Sequence, residues 1–90
     1  MAVVEDRLKR RIQNDFPAPG SADEIIRLVG EASESERIQA AIVFSARGDL
    51  DRLRQAIALT EMDWRDTLVA GGLEHNDWRE RLDFALGPAS

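Results

Sequence analysis

The fold is decided by the stretch SESERIQAAIVFSARGD, residues 33–49, which contains the most apolar segment of the chain, residues 38–46. The unbroken apolar run at residues 40–44 is also compatible with a buried strand. The flanking residues favour a helix, because serine and glutamate before the run form a capping signal and Arg47-Gly48 after it is typical of a helix end. We therefore predict that residues 38–46 form the innermost helix.

An amphipathic helix is predicted at the N terminus. Four apolar residues recur there at every fourth position, on one face of a helix: Val4, Leu8, Ile12 and Phe16. Residues 17–20 follow with two prolines and a glycine, which end the helix and form a stiff connector. We expect residues 1–16 to be the N-terminal helix and residues 21–90 to be the helical core domain. Two alternatives stay open: the four side chains cover their own core, or they form a homodimer interface.

The other segments begin with capping residues and end at glycine. Ser21-Ala22-Asp23-Glu24 reads as a capping box for a short helix that stops at Gly30. Asp49 is expected to cap the next helix after a tight turn. A further helix is expected to begin at residues 60–63. These signals predict an all-α fold, a compact bundle of five to six short helices.

The motif D-W-R-[D/E]-x-L occurs twice, at residues 63–68 and 77–82. We interpret each copy as a helix start, because acidic residues favour the first turn of a helix and the Trp and Leu share one face. Both indoles, Trp64 and Trp78, are therefore predicted to be buried. Three more residues are predicted to face inward beside them: Val69, Ala85 and Leu86. His75 or Asn76 is expected to cap the last helix, and Gly87-Pro88 to close it.

The charge is unevenly distributed. The chain carries 12 basic and 17 acidic residues, a net charge of −5; residues 1–16 hold 4 basic and 3 acidic side chains (+1), which leaves 8 basic and 14 acidic (−6). An acidic body repels nucleic acid and anionic lipid and favours a basic protein partner. The basic cluster at residues 7–11 could act as a nucleic-acid arm, but neighbouring acidic residues favour a solvated helix face. There is no cysteine and no membrane-spanning apolar run, which favours a cytoplasmic protein.

Catalytic and metal-binding interpretations have little support in the sequence. The carboxylate pairs Asp63/Asp66 and Asp77/Glu80 could serve a small hydrolase, but acid and base catalysis needs two carboxyls in different environments. His75 is the only histidine, too few for an ordinary metal site. We predict no catalytic, metal or cofactor-binding residues.

Three segments resemble a family of small uncharacterised bacterial helical proteins. They are the E-R-[I/V]-x-x-A helix at residues 36–41, the G-D-L-x-x-L turn at residues 48–53 and the D-[W/Y]-R-D-x-L segment at residues 63–68. The resemblance implies a bacterial, cytoplasmic, helical protein and no particular activity.

For function we expect a non-enzymatic protein–protein interaction module. Its contact residues are expected to be outward charges of the last two helices: Arg65, Asp66, Arg79 and Glu80. The alternatives are an acidic inhibitor or immunity-type protein that binds a basic enzyme, and a small hydrolase.

Overall fold

The computed structural model describes residues 3–87. It contains five α-helices in chain order: α1 Asp6–Asp15, α2 Ser21–Ala32, α3 Glu36–Ala46, α4 Leu50–Gly71 and α5 Trp78–Leu86. No strand occurs in this range, so the predicted all-α bundle is confirmed. None of the described helices is both long and apolar enough to cross a membrane.

Helix α3 lies at the centre of the bundle. Six of its residues are buried, among them the fully buried apolar residues Ala40, Ala41, Ile42 and Val43. Its most extensive contacts are with α4, and it also contacts α2 and α5. A helix that is covered on several sides must be apolar on several sides. This explains the unbroken apolar run at residues 40–44, which is also compatible with a buried strand.

The cap predicted at Asp49 is confirmed, and the capping signal before α3 is supplied by Ser35, a residue that the sequence did not single out. The Ser35 hydroxyl accepts from the backbone N–H of Ile38 at 3.4 Å at the start of α3. The Asp49 carboxylate accepts from two backbone N–H groups of the first turn of α4, at 2.8 and 3.2 Å. Each bond satisfies a donor that a helix start leaves without an intrahelical partner.

Helix α2 begins at Ser21 as predicted, but its predicted capping box and its predicted end are wrong. No side-chain hydrogen bond caps its start, where Gly20 adopts a left-handed conformation with φ of 81°. At the other end the helix continues through Gly30 to Ala32. Gly30 is buried within the helix, and packing around it outweighs the local preference of glycine for a helix end.

Helix α4 is kinked at the point where the sequence predicts a new helix. Asp63 has non-helical angles, φ −155° and ψ 99°, and its carboxylate accepts from the Arg65 N–H at 3.0 Å, as a capping residue does. The Thr60 hydroxyl donates to the Ala56 carbonyl at 2.8 Å, a bond that bends helices. Because the Thr60 hydroxyl proton is used in that bond, the Thr67 hydroxyl is the donor in the hydrogen bond that joins the two threonines across the kink, at 2.8 Å.

Helix α1 packs onto the core of its own chain. Its predicted stripe is buried as a set and belongs to the central hydrophobic cluster: Val4, Leu8, Ile12 and Phe16. Those side chains are therefore covered within one chain, and a homodimer through them would require α1 to be displaced. The connector at residues 17–20 joins α1 to a body with which it shares one core.

Arg7 links three helices from the face of α1 that the sequence suggested to be solvated. It is 7% exposed, and its guanidinium donates to both carboxylate oxygens of Glu36 in α3, at 2.9 and 3.0 Å. It also donates to Asp83 of α5 at 2.6 Å and to the Gly87 carbonyl at 2.9 Å. These carboxylates raise the pKa of Arg7 above its ordinary value, the hydrogen bond with Glu36 first.

Within the same basic cluster, Arg11 is also used internally. It forms an ion pair with Asp15 at 3.0 Å and lies over the Phe44 ring, 5.0 Å from its centroid. Arg7 and Arg11, two of the three arginines of the cluster, are thus engaged by the protein itself.

The start of α5 differs from the predicted one. Asp77 precedes the helix without a side-chain capping bond, and the Trp78 N–H donates to the His75 carbonyl at 3.2 Å. The predicted caps His75 and Asn76 are wrong, because a backbone turn satisfies that donor. Leu82 is fully buried, whereas Ala85 is exposed, contrary to expectation. The predicted closing residue Pro88 lies outside the described residues.

Candidate functional site

The predicted burial of Trp64 and Val69 is wrong, whereas that of Leu68 is confirmed. Trp64 is 48% exposed and Val69 is 61% exposed. In the part of α4 that follows Asp63, Thr67 and Leu68 face inward, at 0% and 4% exposure. Trp78 is half-buried and packs against the core cluster, in partial agreement with its prediction.

A groove of about 410 Å³ lies beside Trp64, between α4 and the start of α3. We name it the Trp64 groove. Its apolar lining comes from Trp64, Ile38 and Leu68. Its polar lining consists of the Arg37 guanidinium and the hydroxyls of three residues, Ser33, Ser35 and Thr60. No carboxylate lines it, which distinguishes this groove from the acidic surface of the chain as a whole.

Three arginines near this groove stack on the two indoles. Arg37 lies 5.2 Å from the centre of the Trp78 ring, while its Nε donates to the Leu73 carbonyl at 2.8 Å. Arg79 lies 5.1 Å from the same ring. Arg65 lies 5.6 Å from the Trp64 ring. Cations within about 6 Å of an indole are attracted by its quadrupole, so stacking holds these side chains against the surface.

The stacked arginines have no carboxylate partner among the described residues. Within residues 3–87, neither Arg37, Arg65 nor Arg79 forms an ion pair. A planar guanidinium that is held by its face and keeps N–H donors free is well suited to bind a carboxylate.

A second groove, of about 450 Å³, lies beside α5, and we name it the Phe84 groove. Its rim carries Phe84, which is 94% exposed, the most exposed large apolar side chain among the described residues. Phe44 and Leu73 contribute apolar lining, and Glu80 and Arg81 contribute charge. The groove therefore combines an exposed aromatic ring with an acidic side chain on one helix face, since positions 80 and 84 are one turn apart.

The charges at the Phe84 groove are partly compensated. Arg81 pairs with Asp77 at 3.1 Å and donates to the Gly72 carbonyl at 3.2 Å. The hydrogen bond from Arg81 holds the pKa of Asp77 below its ordinary value. Glu80 forms no ion pair with any residue of the described range, so its charge faces solvent.

The four predicted contact residues are all exposed, but they do not form one site. Glu80 lines the Phe84 groove. Arg65 and Arg79 lie on the two indoles. Asp66 lines neither groove. The aromatic residue that sequence analysis missed is Phe84, because the helical periodicity predicts its outward position without indicating that a groove lies beside it.

The acidic pairs do not converge on one concavity. Asp77 and Glu80 line the Phe84 groove, whereas Asp63 and Asp66 line neither groove, and Asp63 is used as a backbone cap. His75 lies 3.2 Å from Glu74. Across residues 3–87, no group of three or more His, Cys, Asp or Glu side chains is placed to hold a metal ion.

Comparison of the chain with protein-family models, with curated proteins and with solved structures found no match in any of the three. The resemblance to small bacterial helical proteins therefore stays a prediction that depends on the three short motifs alone.

Proposed function

We propose that the protein is a non-enzymatic module that binds another protein through the Phe84 groove. The observation that carries this proposal is the exposure of Phe84, 94%, at the rim of a groove of about 450 Å³. A phenylalanine placed in water loses the free energy that burial provides, about 1.5 to 3 kcal/mol. Aromatic side chains beside concave apolar surfaces are frequent anchors of protein interfaces.

The charge of the surface favours a basic partner. The chain carries a net charge of −5, and Glu80 lies one helical turn from Phe84 without an ion pair in the described range. Long-range attraction would accelerate encounter with a basic protein, and Glu80 would pair with a cation beside the buried ring. An inhibitor of a basic enzyme would use the same chemistry, so this alternative is a special case of the proposal.

The rigidity of α5 also supports a binding role. Arg7 ties Asp83 and the Gly87 carbonyl to α1 and α3, and Arg81 ties the start of the helix to Gly72. A contact surface that is fixed before binding loses less conformational entropy on association. The ring of Phe84 is thus presented by a helix that is anchored at both ends.

Two lines support the non-enzymatic and cytoplasmic parts of the proposal. The acidic pairs of α4 and α5 lie apart, whereas acid and base catalysis needs its groups around one substrate. The sequence contains no cysteine, as is common in a reducing compartment. The bacterial origin is proposed from the sequence resemblance.

The test is affinity capture from the native cytoplasm with four matched variants. Phe84→Ser and Glu80→Lys are expected to lose the captured protein, because they remove the ring and reverse the adjacent charge. Met62→Ser and Asp66→Lys are the controls: Met62 is 86% exposed, and neither residue lines the groove. Since Asp66→Lys changes the net charge as Glu80→Lys does, equal loss in both would show a general charge effect and contradict a contact at Glu80.

A further inference from the structure

The Trp64 groove and the Phe84 face have complementary chemistry. We define the Phe84 face as Glu80 and Phe84 on the outer side of α5. The face offers an aromatic ring and a carboxylate one turn apart. The groove offers an apolar lining from Trp64 and Ile38, with Arg37 as the one charged residue among its described lining residues. An apolar ring beside an anion thus has its counterpart in an apolar groove beside a cation.

The cationic side of the groove is available for pairing. Arg37 uses its Nε for the Leu73 carbonyl and its face for Trp78, and its Nη atoms make no hydrogen bond within residues 3–87. Arg65 lies over the Trp64 ring and forms no ion pair in the same range. The groove therefore has Arg37 among its lining residues and Arg65 stacked on its indole, each without an ion pair in the described range, in a chain whose net charge is −5.

A single chain presents both halves of this complementarity at once. The residues that line the Trp64 groove and those that line the Phe84 groove are different sets with no member in common. The groove is also large enough for an aromatic side chain, since clefts from about 300 Å³ upward accommodate small organic groups.

We infer that the occupant of the Trp64 groove is the Phe84 face of a second copy of this protein. The Phe84 ring inserts against Trp64 and Ile38, and the Glu80 carboxylate pairs with Arg37 and Arg65. This inference rests on the proposed function, in which Phe84 and Glu80 bind a basic surface of another protein. It names that surface: the Trp64 groove of a second copy, with Arg37 and Arg65. Because the two contacting surfaces differ, the contact is head-to-tail and produces an open chain of subunits or a closed ring.

Sedimentation velocity of the purified full chain over a concentration series tests this. The wild-type protein should grow in average mass with concentration. Phe84→Ser and Trp64→Ser should each raise the dissociation constant by about tenfold or more, as expected for an aromatic anchor. Met62→Ser, at an exposed apolar position outside both grooves, should sediment as the wild type does.

The decisive measurement is a mixture of the two variants. Phe84→Ser retains an intact groove and Trp64→Ser retains an intact face, so together they should form a heterodimer that stops at two subunits. Arg65→Glu, at an exposed position, replaces Trp64→Ser if the latter loses its helical circular dichroism. A mixture that stays monomeric while the wild type associates would overturn the head-to-tail arrangement.

The outcome is separable from that of the proposed function. A wild type that is monomeric at every concentration, with Phe84-dependent capture of a different protein retained, overturns the second-copy inference alone. If Phe84→Ser alters neither association nor capture, both proposals are wrong.

Discussion

Gly71 of α4 lies against Ala41 of α3 with no room for a side chain between them. A Cβ atom built on Gly71 would lie 2.5 Å from the Ala41 Cα and 2.7 Å from its carbonyl oxygen. The absence of a side chain at position 71 therefore lets the end of α4 pack directly on the backbone of the central helix.

Gly71→Ala should destabilise the protein, although alanine ordinarily stabilises a helix by about 0.5 to 1 kcal/mol relative to glycine. Because the added Cβ would meet backbone atoms of Ala41, the clash should dominate and cost about 1 to 3 kcal/mol. Urea unfolding followed by circular dichroism measures this. Gly72→Ala is the control: its Cβ meets only Arg81 at 3.9 Å, so its cost comes from its positive φ of 75°. A stabilised Gly71→Ala protein would contradict the close packing.

Replacing Arg7 with methionine should destabilise the protein more than any other single arginine substitution in α1. The change keeps apolar volume but leaves Glu36 and Asp83 without their cation, and breaking a buried pair costs about 3 to 5 kcal/mol. Both carboxylates are partly exposed, 26% and 58%, so we expect the lower half of that range or less. Thermal unfolding measures the loss, with Arg10→Met, at an exposed position of the same helix, as the control. Equal effects would show that Arg7 is not a structural link.

The contribution of Arg7 to the free energy of unfolding should be constant with pH as long as its carboxylate partners are ionised. A pKa raised in the folded state stabilises the protein fully below the unfolded pKa and loses that contribution only as the pH rises through the folded value. Since the ordinary pKa of arginine already lies beyond the accessible pH range and that of Arg7 is raised further, this loss falls outside accessible conditions. The destabilisation by Arg7→Met should therefore be the same at pH 7 and pH 9.

The two tryptophans should differ in solvent access. Trp64→Phe leaves Trp78 as the only indole, which is half-buried between Arg37 and Arg79, whereas Trp78→Phe leaves Trp64, which is 48% exposed. The protein that retains Trp64 should show redder emission and stronger quenching by acrylamide. Trp64→Ala should cost less than the roughly 3 to 5 kcal/mol of a fully buried aromatic residue. Equal quenching of both single-tryptophan proteins would contradict the exposure of Trp64.

The features that the sequence predicts correctly depend on neighbours in the chain. Asp49 acts as a cap because a capping side chain bonds to backbone N–H groups two or three residues ahead. The four apolar residues that begin at Val4 are buried together. Residues spaced four apart lie on the same face of a helix, so they are covered together whichever part of the protein that face packs against.

The features that the sequence misses depend on contacts between distant segments. Arg7 and Asp83 lie 76 positions apart, and no local pattern indicates that they pair. The shared helix face of Trp64 and Leu68 predicts both to be buried, but only Leu68 is buried, because the part of that face that is covered depends on where α4 packs on distant segments. The exposure of Phe84 beside a groove likewise depends on where Phe44 and Leu73 lie in the packed bundle.

Asp77 should titrate below the ordinary aspartate value of 3.8, because Arg81 donates a hydrogen bond to its charged form. A lowered folded pKa contributes stability above the unfolded pKa, and this contribution is lost as the pH falls through the folded value. Carboxyl NMR titration of the wild type and of Arg81→Gln tests the cause. In Arg81→Gln the pKa of Asp77 should rise towards 3.8, and an unchanged value would exclude Arg81 as its origin.

A protein that begins at Ser21 should fail to fold. The deletion removes the four buried apolar residues that start at Val4 and also removes Arg7, the link between α3 and α5. Losing one buried aliphatic or aromatic side chain typically costs about 2 to 5 kcal/mol, and a domain of this size has about 5 to 13 kcal/mol in total, so the loss of four exceeds what remains. Circular dichroism and light scattering are the measurements, and a peptide of residues 1–20 added in trans is the control. Recovery of helical signal on adding the peptide would show that α1 completes the core; a truncated protein that is folded and monomeric by itself would instead make α1 a separable arm.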